Sequence, residues 1–131
     1  MARKEILPDT LSDSTELSYV HAIVADGELY VSGQVATDAE GNVVGDDIET
    51  QTRQAFDNLE AILEAVDRGF EDVVKVTSYL PNIHRDYDGF KAVFAEVFDD
   101  RLPCHTMLGV QDLAREEFLV ELEVEVPLGE A

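Results

Sequence analysis

Pro103 is followed directly by Cys104, His105 and Thr106 in the stretch RLPCHTML (101–108), and all three side chains are ones that enzymes use. A thiol beside an imidazole suggests a nucleophile with its base, or a pair of metal ligands. The spacing supports neither. Adjacent residues of a strand point to opposite faces, so the Cys104 thiol and the His105 imidazole cannot share a proton. His21, His84 and His105 show no regular ligand spacing, and with 29 Asp and Glu in the chain a neighbouring carboxylate carries no signal. No metal site is expected. Cys104 is then expected as a small buried apolar group, and His84 in a solvated loop.

A different chemistry is offered by Glu121, Glu123 and Glu125, which alternate with Leu122, Val124 and Val126 and so share one face of a strand. A carboxylate held against an electrophilic carbon can relay a proton from water. The same three residues also read as a solvated acidic stripe.

These groups must be positioned by a chain of 131 residues, one domain's worth (1–131), with 45% hydrophobic content. No run of about 18 apolar residues occurs, so no membrane span is expected. The start, MARKEILPDT, has no apolar core of a secretory signal. One cysteine excludes an intrachain disulfide and agrees with a cytoplasmic location. The formal charge is −20, with 9 Lys and Arg against the 29 acids. Such a surface repels itself until salt shortens the Debye length from ~8 Å to ~3 Å, which points to a salt-adapted, halophilic cytoplasm. It is also a poor partner for a nucleic-acid backbone.

The elements follow from patterning. LSYVHAIVADGELYVSGQVA reads as two strands around an Asp26-Gly27 turn, with Leu29, Val31 and Gly33 alternating against Tyr30, Ser32 and Gln34. Residues 1–16 read as an arm or a loose terminus. Asp46 or Asp47 can cap a helix carrying Ile48, Ala55, Leu59, Ile62 and Val66 on one stripe, with Gly69 after its end. DVVKVTSYL is a β-branched strand, and DYDGFKAVFAEVF a second helix that buries Phe90, Val93, Phe94, Val97 and Phe98. FLVELEVEV closes the chain with Phe118, Val120, Leu122, Val124 and Val126 on one face. The order is β-β-α-β-α-β-β, an α+β fold with both helices on one face of a mixed sheet. The other sheet face must meet solvent or another subunit.

The string LYVSGQVA, the helix QTRQAFDNLEAILEAV, DVVKVTSYL and the closing VELEVEV together resemble the Rid family, also called YjgF/YER057c/UK114 or endoribonuclease L-PSP. The resemblance runs from about Tyr19 to Val126. It implies a chorismate-mutase-like domain assembled as a homotrimer, with small carboxylate metabolites bound in clefts between subunits. In catalytic members it implies cofactor-free hydrolysis of enamines and imines, such as 2-iminobutanoate and 2-iminopropanoate, to 2-oxo acids and ammonia. By position, Glu121 would activate the water, and Tyr19 and Ser32 would be polar cleft residues. Met107 would serve through its backbone, where catalytic members often have cysteine. The family's cleft arginine, which clamps the substrate carboxylate, is replaced by His105. An imidazole with a reference pKa of ~6.5 is only partly charged near neutrality and lacks arginine's planar fork. His105 is therefore open between a ligand contact and a strand residue packed at a subunit interface.

Three functions compete on this sequence: an imine deaminase weakened or altered by His105, a non-catalytic trimer that binds small metabolites or a protein partner, and a ribonuclease. The last is ranked lowest, because no track of basic and aromatic residues is present for RNA.

Overall fold

A computed structural model describes residues 2–129. A six-stranded sheet runs in the order β1-β2-β3-β6-β4-β5, with β1 at Arg3–Ile6, β2 at Ala22–Ala25, β3 at Glu28–Val31, β4 at Lys75–Leu80, β5 at Cys104–Gly109 and β6 at Glu121–Pro127. All neighbours are antiparallel except β4 and β5, which are parallel and joined by a helical crossover. The helices are α1, Ile48–Glu64, and α2, Ile83–Phe98. This is the expected mixed α+β arrangement, with an added edge strand. The terminal arm forms β1, whose Ile6 is buried in the core.

The β2–β3 turn takes the form its residues dictate. Asp26 and Gly27 both have positive φ, 54° and 76°, as a two-residue turn matching strand twist requires. Asp47 caps α1, its carboxylate accepting from the Thr50 N–H at 2.8 Å. The helix ends earlier than Gly69, and the left-handed residue beyond it is Asp67, at φ 58°.

The core lies between the helices and one sheet face. Phe118, Val120, Leu122, Val124 and Val126 are all buried, as their alternation requires. On α2, Phe90, Val93, Phe94 and Phe98 are buried, while Val97 is partly covered. Phe56, Phe70, Phe94 and Phe98 meet in edge-to-face and tilted contacts, the geometry that the ring quadrupole favours. On the opposite sheet face stand Tyr30, Lys75, Thr77, Tyr79, Cys104, Thr106, Leu108 and the three glutamates of β6. Nothing among the described residues covers that face.

The alternation assigned to β3 breaks after Val31. Tyr30 pairs with Glu125 but Gln34 with Leu122, so four steps on one strand oppose three on the other. This bulge at Ser32-Gly33 turns Gln34 inward, where it is buried, instead of outward. Cys104 also differs from expectation. It is exposed, because its register with Lys75 puts it on the uncovered face. His84 lies in the first turn of α2 rather than in a loop.

Candidate functional site

The bulge opens the main cleft. Its volume is about 800 Å³, and its walls come from residues 12–19, 32–41 and 114–121. Tyr19, Ser32 and Glu121 meet there, so one chain brings together three of the five residues singled out from the sequence.

Each is held by identifiable bonds. The Ser32 hydroxyl donates to the Val20 carbonyl at 2.7 Å, which leaves its lone pairs toward the cleft. The Gln34 side-chain amide donates to the Ser32 carbonyl at 3.1 Å and to His21 Nδ1 at 3.2 Å. Accepting at Nδ1 places the His21 proton on Nε2, which donates to the Ser12 carbonyl at 2.8 Å. The Tyr19 ring stands edge-on to that imidazole at 5.9 Å. Buried His21 and Gln34 thus fasten the 12–19 wall to the bulge.

Glu121 opens β6, and the bulge brings Gly33 beneath its carboxylate. Any Cβ at position 33 would occupy the space of the Glu121 side chain. Half-buried in this way, the Glu121 carboxyl is raised above its usual range, first by burial and then by the charge of Glu123. It is a stronger base than a surface glutamate. The Tyr19 phenol is raised by burial and by Glu121, with Arg115 opposing, so it remains a proton donor at neutral pH. Next along the sheet, the Tyr79 hydroxyl donates to the Glu123 carboxylate, and its phenol is pushed up to about 12, chiefly by that bond.

The other two residues sit elsewhere in the chain. His105 and Met107 lie on β5, the sheet edge, separated from β6 by β4. The His105 ring stacks on Phe94 at 4.3 Å, and its Nε2 shares a 2.9 Å hydrogen bond with the Ser78 hydroxyl. Burial of that packed face, then Lys75, lowers its pKa, so the ring favours the neutral form. Register places Cys104 and His105 on opposite faces, opposite Lys75 and Val76. Among the described residues no three His, Cys, Asp or Glu side chains gather as metal ligands would.

Several residues that build the site were not singled out from the sequence. Gln51, buried on α1, donates to the Gly45 and Glu117 carbonyls at 3.0 and 2.8 Å and accepts from the Leu119 N–H at 2.8 Å. Asn58, two turns on, donates to the Val35 and Thr37 carbonyls at 2.9 and 3.0 Å. Two cleft walls are therefore hung from one helix by buried amides. The signal was present: Gln51, Ala55, Asn58 and Ile62 fall on one helical stripe, and an amide inside an apolar stripe must find partners. Arg115 and Gly33 gave no such signal, since loop closure and the bulge bring them in.

Comparison with known proteins matches this architecture. The family model described as Endoribonuclease L-PSP matches residues 12–127. The proposed regulator AldR of Lactococcus lactis is 39% identical over 107 residues, covering 81% of this chain and 83% of that protein. A 2-iminobutanoate/2-iminopropanoate deaminase of Dermatophagoides farinae is 30% identical over 116 residues, covering 88% and 90%. The solved structure of protein YJGH superposes with a TM-score of 0.89 at 32% identity, over 98% of both chains. The chain therefore belongs to the endoribonuclease L-PSP family, the Rid or YjgF/YER057c/UK114 proteins.

Proposed function

We propose that this protein hydrolyses small 2-imino acids to 2-oxo acids and ammonia. One observation carries the reading: a half-buried carboxylate of raised basicity, Glu121, shares a cleft with a phenol donor and a serine hydroxyl. Glu121 takes a proton from water as the oxygen bonds to C2 of the imine, and the C=N electron pair moves to nitrogen. That nitrogen receives a proton, with Tyr19 placed to donate. Glu121 then passes its proton to the same nitrogen while the new C2 hydroxyl returns one to the Tyr19 oxygen, and the C–N bond breaks, releasing ammonia as the C=O forms. Water is the only co-reactant, so the chemistry requires no cofactor. The deaminase relative, whose name states this substrate class, supports the same reading.

The uncovered sheet face and the unpaired β5 edge support assembly as a homotrimer. There His105 and Met107 of one chain would face the Tyr19–Ser32–Glu121 cleft of the next. A second reading, a trimer that binds small metabolites without turnover, is favoured by one observation. The His105 ring already has Phe94 and Ser78 as partners, and it keeps little positive charge for a carboxylate.

The test is a competition assay. A dehydratase generates 2-iminopropanoate at about 2 M salt, where surface repulsion is screened, and semicarbazide captures what is not hydrolysed. Added protein should divert the imine to pyruvate. Unchanged capture at saturating protein would sink the enzymatic reading in favour of the binder.

A further inference from the structure

Arg115 occupies an unusual place for this chain. Only 9 Lys and Arg accompany 29 acids, yet one lines the cleft, beside Asp13, Glu16, Glu40 and Glu121. It is the one cationic side chain among the described lining residues. While Arg3, Arg53 and Arg85 pair with carboxylates, Arg115 makes no ion pair among the described residues. Neutral groups hold it instead. Its Nη1 donates to the Gly41 carbonyl at 3.0 Å, and the guanidinium carbon lies 5.5 Å from the Phe118 ring centroid. The Phe118 N–H in turn donates to the Arg115 carbonyl at 3.2 Å, and Phe118 is buried. The fork is thus anchored by a carbonyl and a ring, with donors left over, in a cleft wall that Gln51 ties to α1.

A planar guanidinium with free donors matches a carboxylate bidentately. The three other acids on the walls would otherwise repel any anion. We propose that Arg115 is the carboxylate-docking residue of this cleft, so that its ligand is a small 2-imino or 2-oxo monocarboxylate with C2 turned toward Glu121. Phe118, Leu17 and Val35 supply the apolar surface for a short aliphatic side chain. This rests on the deaminase reading for the identity of the site, and it assigns the missing clamp to the same chain as Glu121 rather than to position 105.

The experiment measures binding rather than turnover. The stable product analogue 2-oxobutanoate and its neutral amide, 2-oxobutanamide, are titrated into wild type, Arg115→Gln, Arg115→Lys and His105→Gln by calorimetry. Wild type should prefer the carboxylate by about ten- to a hundredfold, the worth of a charge-assisted pair. Arg115→Gln should erase that preference, Arg115→Lys keep part of it, and His105→Gln leave most of it. Equal wild-type affinity for acid and amide, no wild-type binding of either, or full preference in Arg115→Gln would each overturn the proposal. If the glutamine variant fails to fold, the wild-type ratio and the lysine variant still decide. Arg115-dependent binding without imine turnover would remove the deaminase reading and leave this inference standing. Turnover with unaltered binding in Arg115→Gln would do the reverse.

Discussion

Glu121 acquires its character from its neighbours rather than from its type. It is one of three glutamates in a strict alternation, and the alternation treats all three alike. What separates them is the bulge: Gly33 lies under Glu121, whereas Glu123 bonds Tyr79 and Glu125 is exposed. Register slips of this kind leave no periodic trace, so Glu121, Tyr19 and Ser32 could be singled out only through resemblance to a family. A pH prediction follows from the shift. In the proposed mechanism the ionised carboxylate is the base, and its pKa is raised, so activity should fall as pH drops through a value above the ordinary ~4.3 of glutamate. Because Glu123 is the second cause of the shift, Glu123→Gln should move the acidic limb of the kcat/KM profile to lower pH. A limb that stays put would contradict this electrostatic account.

Regular elements were legible wherever one face is buried. The alternation that runs into β6 buries Phe118, Val120, Leu122, Val124 and Val126, and the Asp26-Gly27 turn carries its dihedral signature in its composition. β1 was less legible, since Arg3–Ile6 has only Ile6 to bury and gains its structure from pairing with β2. A thiol in an alternating strand reads as a small buried group, whereas the face of β5 that carries Cys104 is open among the described residues. The polar residues of α1 carry a role that composition hides. Gln51 satisfies three backbone groups at once and so fixes the wall holding Arg115 and Phe118. Gln51→Leu should cost about 2–4 kcal/mol in urea unfolding, since buried backbone partners lose their bonds. Hydrogen exchange at the Leu119 amide should quicken more than exchange in β4. A variant as stable as wild type would mean that water replaces the amide, and that the wall does not depend on it.

Among the described residues, one sheet face is uncovered and the β5 edge has no strand partner beyond β4. Leu102 and Leu108 beside that edge are 71% and 43% exposed, and an unpaired edge invites another chain. Together with the charge of −20, this predicts an assembly that depends on salt. Light scattering at about 2 M salt should report about three times 14.5 kDa, and dilution into low salt should loosen the trimer as repulsion is unscreened. A monomer at high salt would remove the inter-subunit cleft and with it any contact of His105 with the Glu121 cleft. The charge and the uncovered face were both readable from the sequence. What meets that face was not, because the periodicity of one chain encodes only which residues share a face.

The central claim is that the Glu121 carboxylate activates water in this cleft, and one comparison tests it most directly. Initial rates of 2-iminobutanoate hydrolysis are measured for wild type and Glu121→Gln, with 2-oxobutanoate affinity determined for both. The account predicts a rate lower by about a hundredfold or more in the variant, the usual range for a lost general base, with binding within about threefold. Equal rates at equal binding would contradict it.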